Sequence, residues 1–424
     1  MKKAILCLLT FMLLLTGVFN INVTADDNDE EGGINIDVIN SGKYENAYRY
    51  NIQGWIYLHI EGEPYERGYQ HGYLLAAETV DHIQRWSNVI HNSPMLDTKY
   101  YDQESEKYEK VSKTWWNFCR NNIERIYWDR TPEEYQQEMK GIADGVKDRG
   151  GKIFDRWVDY IDILTINQMF EWMTRNENLK KSFHPFKDLL NSIKSLVPMS
   201  VGDIGEAIDS FLNQPKTDHC NAFIATGDAT TDGQIVAAHD IRCGGWWYSY
   251  YVAQRWNVIL DIAPSEGNRL MFHSSPGFIW SDANYYQNEE GIVVMDTTCP
   301  QGLWRNKGYS MVIRTRRAAQ YSENLDDAID YLMEKNDGLW TAAYLIGDSE
   351  TGEIARMDLS LYNYKIWRTF DGYYWSANNI MSEKIRKEAN GLGLKGVLFK
   401  LIGLPYYAYY TLTVSYTHLT LPTN

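Results

Sequence analysis

The sequence predicts an α+β protein, because helical and strand patterns occupy successive parts of the chain. From about Leu74 to Leu212, apolar residues recur at the spacing of amphipathic helices, whereas short apolar runs bounded by turn residues follow this region. Two further helical patterns, Tyr309 to Gln320 and Asn324 to Glu334, lie between the later strands. The 424 residues are 44% hydrophobic, which suffices for a sizeable core.

The chain begins with the pattern of an export signal. Two lysines precede the uncharged apolar run Ala4 to Val18, and Val23-Thr24-Ala25 is typical of a signal cleavage site. We therefore expect residues 1–25 to be removed as a signal peptide and the mature protein to be secreted; an uncleaved anchor is the alternative. Residues 26–53 are acidic and predict a solvated linker, with structure beginning near Gly54.

Composition excludes several classes of partner and cofactor. The formal net charge is −15, and no basic patch is present to neutralise phosphates, so we expect no nucleic-acid partner. The sequence has no phosphate loop, dinucleotide fingerprint or zinc-ligand spacing, which predicts chemistry without a metal or an organic cofactor. The 31 tyrosines and 15 tryptophans suit core packing and the lining of an apolar or sugar-binding cleft.

Residues 54–219 are predicted to form a largely helical N-terminal chain. The alternating run Trp55 to Ile60 is typical of a strand. In the helix that follows, Gly68 and Gly72 lie four residues apart on one face, which permits close approach of another backbone. Thr131-Pro132-Glu133-Glu134 marks a second helix start, with proline and acidic residues in its first turn.

The stretch Thr217 to Asp240 predicts a buried β-hairpin that contains a candidate active site. Its two strands are short apolar runs without clean polar alternation, and turn residues between Gly227 and Gly233 join them. If these two glycines pair, the same register places Cys220 opposite Asp240, with His239 next to it. The later strands are predicted at Tyr250 to Ile262, Arg269 to Phe272, Gly291 to Thr297, Thr341 to Gly347, Glu353 to Leu359 and Tyr364 to Phe370.

Cysteine chemistry suggests cleavage before Cys220. A thiol with a pKa of about 8.5 needs a base at neutral pH, and an N-terminal cysteine has one in its own α-amine, which titrates near about 8. The Cys220 thiol would attack the His219 carbonyl, the acyl group would move to sulfur, and water would release the new terminus. The plainer alternatives are an inert core cysteine or half of a disulfide, a core role for His239, and a turn cap for Asp240.

This hairpin resembles that of the autoproteolytic N-terminal-nucleophile (Ntn) acyltransferases and hydrolases, the group that contains isopenicillin N acyltransferase. The run from Cys220 to Gly227, then Asp232-Gly233 and His239-Asp240, carries the resemblance. Two later segments, 273–277 and 291–298, are similar to phospholipase B-like proteins. Residues 281–286 resemble an acid-rich aromatic motif of the same proteins, from which Ala283 and Asn284 depart. The resemblance implies a four-layer αββα sandwich of antiparallel sheets, a catalytic core at residues 220–390, and two chains that stay associated after cleavage.

The resemblance also implies roles for residues outside the hairpin. Thr298 ends a strand at a position similar to the family's oxyanion-stabilising turn, and Asn336 is similar to an asparagine that bonds the new α-amine or the substrate; both could instead be turn formers. Trp375 to Asn379 resembles a late asparagine-containing motif of the family. Trp246 and Trp247 follow the hairpin, where substrate contact and a buried aromatic anchor are equally good interpretations.

Three functions follow from these patterns. The first is an exported acyl hydrolase or acyltransferase that cleaves a small-molecule amide or ester through a Cys220 thioester. The second narrows this to a phospholipase B-like lipid acyl hydrolase with peripheral lipid contact. The third is an aromatic-rich surface- or carbohydrate-binding protein without catalysis.

Two features of the chain lie outside these functions. Residues 391–424 predict a truncated C-terminal end with a foreign tail. A disulfide between Cys243 and Cys299 is conceivable, and the sequence does not decide it.

Overall fold

The computed structural model describes residues 41–92, 103–178, 219–242, 252, 255–300, 304–305 and 307–389. Within these ranges the protein has the mixed α+β fold that the sequence predicts, with eight α-helices and fifteen strands. The described helices include none that is both long enough and apolar enough to cross a membrane.

Five helices precede the hairpin: α1 Pro64–Leu74, α2 Ala76–Asn88, α3 Glu106–Tyr127, α4 Glu133–Asp148 and α5 Tyr160–Asn178. Helix α4 starts within the predicted Thr131–Glu134 segment. The close backbone approach expected at Gly68 and Gly72 is also confirmed, since α1 packs directly on α4. A Cβ atom on Gly68 would lie 2.0 Å from the carbonyl oxygen of Glu138, and one on Gly72 would lie 1.9 Å from that of Ile142. Only glycine allows this contact.

A ten-stranded mixed sheet forms the centre of the molecule, in the order β1-β2-β3-β8-β9-β10-β11-β12-β13-β14. Its strands are β1 Ser41–Tyr44, β2 Ala47–Ile52, β3 Trp55–Gly62, β8 Asn257–Pro264, β9 Leu270–Ser274, β10 Tyr285–Asn288, β11 Ile292–Thr298, β12 Ala342–Asp348, β13 Glu353–Leu359 and β14 Tyr364–Thr369. Neighbouring strands are antiparallel except for the parallel pair β3 and β8. This pair joins the region before the hairpin to the region after it.

The sheet begins at Ser41, so the prediction that structure starts near Gly54 is wrong. Strands β1 and β2 form a hairpin, and β2 then pairs with β3. Arg49 of β2 is buried and donates to the Glu78 carboxylate at 2.6 Å, which fastens this early hairpin to α2. The prediction extended the acidic run at residues 26–33 too far along the chain, and it missed the alternating aromatic residues that begin at Tyr44 and indicate strands.

A three-stranded sheet, in the order β15-β6-β7, packs face to face on the large sheet. Its strands are β6 His219–Gly227, β7 Gly233–Arg242 and β15 Gly372–Ser376, and a separate two-stranded pair consists of β4 Lys152–Ile153 and β5 Arg156–Trp157. Ala222 and Ile224 of β6 contact Met295, Leu345 and Ile354 of the large sheet.

The opposite face of the large sheet packs on helices. These include α6 Met311–Tyr321 and α7 Leu325–Met333. The last described helix, α8 Glu383–Ala389, packs beside Cys299 and Ala343 on the face that also carries the small sheet. Strand alternation explains the layering, because Val294 and Tyr344 face the helices while their neighbours Met295 and Leu345 face the small sheet. The described residues thus form helix, sheet and sheet layers, with the predicted nucleophile hairpin in the outer sheet.

Candidate active site

Cys220 is the second residue of β6, and its backbone nitrogen is held by a distant asparagine. The Cys220 N–H donates to Asn378 Oδ1 at 2.7 Å, and Asn378 Nδ2 donates to the carbonyl oxygen of Thr298 at 2.7 Å. Cys220 itself is 4% exposed. The Asn378 amide therefore joins the nitrogen of the candidate nucleophile to the end of β11.

Asn378 lies in the turn that follows β15, and this turn is fastened to the large sheet. The φ angle of Asn378 is +55°, a left-handed conformation that asparagine tolerates better than most residues. Before it, the hydroxyl groups of Ser376 and Thr297 lie 2.5 Å apart. The Asn379 side chain accepts from the backbone N–H of Ala377 at 3.0 Å. These bonds place the amide of Asn378 beside β6.

The register of the hairpin differs by one residue from the prediction. Gly227 pairs with Gly233 as expected, but a β-bulge between Ala225 and Gly227 shifts the pairing of the rest. Cys220 therefore lies opposite Ile241, and Asp240 lies opposite Asn221. A bulge adds one unpaired residue to one strand, so every partner beyond it moves by one.

The corrected register separates the two titratable residues of the hairpin. His239 pairs with Ala222 and so shares the inner face with Cys220, whereas Asp240 lies on the exposed outer face. The prediction that Asp240 faces Cys220 is therefore wrong. His219 begins β6 opposite Arg242, which places the proposed cleavage bond within the strand pair.

His239 is fixed in one tautomer by the large sheet. Its Nε2 lies 2.8 Å from the backbone carbonyl oxygen of Asp296. Because a carbonyl only accepts hydrogen bonds, Nε2 carries the proton and Nδ1 is left as an acceptor. Burial lowers the pKa of His239, which keeps the ring neutral. A neutral imidazole on the same face of the hairpin as Cys220 can accept a proton.

Thr298 and Asn336 have different positions relative to Cys220. Thr298 is the last residue of β11, half-buried, and reaches the hairpin through the Asn378 amide. The Asn336 side chain instead donates to the Ser360 carbonyl at 2.9 Å and accepts from the Gly338 N–H at 2.8 Å. The asparagine that bonds the Cys220 nitrogen is thus Asn378, in the late motif Trp375 to Asn379, and not Asn336.

Comparison with known proteins identifies the family of this chain. The model of the phospholipase B family matches residues 40–363, more than half of the chain. The chain belongs to the phospholipase B family. It is also similar to an uncharacterized protein of Archaeoglobus fulgidus, with 26% identity over 302 residues that cover 70% of this chain and 42% of the relative. The chain thus spans less than half the length of that relative.

Family membership confirms the predicted similarity to phospholipase B-like proteins, despite the departures at Ala283 and Asn284. Trp246, Trp247 and Cys243 lie outside the described residues, so the substrate contacts and the disulfide suggested for them stay predictions.

Two other cysteines of this phospholipase B family member are poor candidates for a nucleophile. Cys119 is fully buried in α3, and Cys299 is 2% exposed, with its Sγ 3.6 Å from the Thr297 carbonyl oxygen. Burial raises the pKa of both thiols, which disfavours the reactive thiolate.

Asp296 is a buried acid directly behind the site. Burial raises the pKa of its carboxyl to about 7, and the Trp340 indole N–H donates to its Oδ2 at 3.3 Å. The same residue holds His239 through its carbonyl oxygen. Asp296 thus has a titratable carboxyl group and, through its backbone carbonyl, also positions the His239 ring.

Proposed function

We propose that this chain is an exported lipid acyl hydrolase of the Ntn type, with Cys220 as nucleophile after cleavage of the His219–Cys220 bond. The observation that carries the proposal is the 2.7 Å hydrogen bond from the Cys220 nitrogen to Asn378 Oδ1. That nitrogen is the leaving atom of self-cleavage and the α-amine of the mature enzyme. One amide side chain thus serves both stages.

In self-cleavage, the Cys220 sulfur attacks the His219 carbonyl carbon and the peptide C–N bond breaks. The acyl group moves to sulfur, and the Cys220 nitrogen leaves as an amine. His239 Nδ1 accepts the thiol proton and returns it to this nitrogen, since its Nε2 already donates to Asp296. Water then hydrolyses the thioester and releases the His219 carboxylate.

In turnover, the new α-amine takes the thiol proton and the thiolate attacks the acyl carbon of a lipid ester or amide. The resulting oxyanion needs fixed donors about 3 Å away, and Thr298 at the end of β11 would supply one of them. The ammonium group protonates the leaving alcohol or amine. Water resolves the thioester and releases the fatty acid, and an acceptor amine in place of water would make the reaction an acyl transfer.

The packing also supports two associated chains. Arg316, after the cleavage point, lies 3.4 Å from Glu138 in α4, and the Tyr321 hydroxyl donates to Glu134 at 2.7 Å. With the parallel β3–β8 pair, these contacts bridge the two sides of the proposed cut. A fourth layer of helices on the small sheet, secretion, and peripheral lipid contact are parts of the same proposal.

Intact mass spectrometry and denaturing electrophoresis of the purified protein test this function. We expect two fragments that meet at His219/Cys220, and release of fatty acid from a phospholipid substrate. Cys220→Ala should abolish both, while the buried-thiol control Cys119→Ala should retain both. Cleavage that persists in Cys220→Ala would show that another bond or residue is used. One intact chain without hydrolysis would favour a binding protein.

A further inference from the structure

A buried ion pair lies on β13 directly beneath the turn that holds Asn378. Arg356 Nη2 lies 2.9 Å from Asp358 Oδ1, and the two side chains are 1% and 0% exposed. Both lie on the same face as Ile354, which packs on the small sheet. The pair is therefore sealed between the two sheets, next to the strand that carries Cys220.

The Arg356 guanidinium binds the backbone on both sides of Asn378. It donates through Nη1 to the Trp375 carbonyl and through Nη2 to the Asn379 carbonyl, the latter at 2.6 Å. A planar guanidinium presents several donors in a rigid fork and so can bind two carbonyls at fixed separation. The charged donor strengthens both bonds.

Asp358 holds the far end of the same turn. Its Oδ2 accepts from the backbone N–H groups of Met381 at 2.6 Å and Ser382 at 2.8 Å, while Oδ1 accepts from Arg356. The ion pair thereby fixes four backbone groups between residues 375 and 382. Between them lies Asn378 in its left-handed conformation, which costs energy unless its surroundings impose it.

We propose that Arg356 is a positioning residue, which acts with Asp358 to aim the Asn378 amide at the Cys220 nitrogen. The inference rests on the proposed function, because orientation matters only if that nitrogen reacts. A displacement of about 1 Å at a reacting group can reduce rate about 100-fold. Loss of orientation affects the chemical step, so it lowers kcat while KM changes little.

The test compares Arg356→Met and Arg356→Lys with the wild type and with Arg49→Met. Arg49 is a matched control, because it forms a 2.6 Å ion pair with Glu78 of equal burial and also binds a backbone carbonyl, that of Leu74. Self-cleavage is followed by mass spectrometry, and kcat and KM are measured on a phospholipid substrate. Hydrogen exchange of the peptide 373–382 reports on the turn itself.

We expect Arg356→Met to lower self-cleavage and kcat about 100-fold at unchanged KM, with faster exchange confined to residues 373–382. Arg356→Lys keeps the charge but lacks the planar guanidinium, so its rates should be about 10-fold higher than those of Arg356→Met and still below the wild type. Arg49→Met should retain wild-type rates. If the single variant fails to fold around the unpaired Asp358, Arg356→Met/Asp358→Asn removes that charge and is expected to show the same rate loss.

Three results would overturn the inference. Wild-type rates in folded Arg356→Met or in the double variant would show that the pair only stabilises the fold, and equal losses in Arg49→Met would show a general effect of buried ion pairs. Both leave the proposed function intact. A wild-type protein that neither cleaves itself nor releases fatty acid would overturn the proposed function and this inference with it.

Discussion

Asn378 and Cys220 are 158 residues apart in sequence, yet the Asn378 amide oxygen accepts the Cys220 backbone N–H at 2.7 Å. The same amide donates to Thr298 at the end of β11. Because both the oxygen and the nitrogen of this amide form hydrogen bonds, its orientation is fixed, and so is the direction of the Cys220 N–H that it binds. The contact links three parts of the chain that meet only in the folded protein.

The first prediction concerns this amide. Asn378→Ala and Asn378→Gly should each reduce self-cleavage and turnover about 100-fold, as expected for removal of one fixed polar group from a reacting centre. Glycine adopts the +55° φ angle without strain, so it separates the loss of the amide from strain in the backbone. Initial rates of fragment formation and of fatty-acid release are the measurements. Near-wild-type rates in Asn378→Gly would show that the amide is not needed.

The second prediction uses the depressed pKa of His239. Burial lowers this pKa below the usual 6.5, so the neutral, basic form of the ring persists to more acid pH than that of a free imidazole. The self-cleavage rate should therefore begin to fall at a more acid pH than the titration of a free imidazole would give. Turnover should instead fall below about pH 8, because it depends on the α-amine.

Rates of both processes across pH 5 to 9 test this difference. His239→Gln keeps a donor for the Asp296 carbonyl but has no basic nitrogen, and should slow self-cleavage at least about 100-fold. A self-cleavage rate that follows the same curve as turnover, or an active His239→Gln, would contradict a base role for His239.

The sequence predicted much of the fold because the relevant signals are local. Strand β13 coincides with the predicted Glu353 to Leu359, and β11 differs from its prediction by one residue at each end. The β-bulge was not predictable, because the sequence gives no sign that two residues of β7, between Gly233 and Val236, lie opposite the single residue Thr226 of β6. The sequence also could not show that Asn378, and not Asn336, binds the Cys220 nitrogen, since this contact forms only when the two sheets pack together.

The third prediction follows from that bulge. Asp240 lies on the exposed face of β7, opposite Asn221, and not on the face of Cys220. Asp240→Asn should therefore change self-cleavage and turnover less than about 2-fold, because an exposed carboxylate acts on the His239 ring through a charge that water screens. A loss comparable to that of His239→Gln would show that Asp240 acts on the site and that the sequence-based role was correct.

The fourth prediction concerns stability and pH. The Asp296 pKa is raised by burial to about 7 in the folded protein and is near 3.8 in the unfolded chain. The folded state therefore holds its proton more tightly, so this contribution to stability is fully present below about pH 4 and is lost as pH rises through about 7. The loss approaches about 4 kcal/mol at most, from about 1.4 kcal/mol for each pKa unit.

Asp296→Asn cannot ionise, so its melting temperature should fall less between pH 5 and pH 8 than that of the wild type. The comparison is best made in Cys220→Ala protein, which stays one chain at every pH if the proposed cleavage is correct. Asp330→Asn, which removes an exposed carboxylate of α7, is the control and should melt with the same pH dependence as its parent. If Asp296→Asn also follows the parent curve, the Asp296 carboxyl is not the group that couples stability of this region to pH.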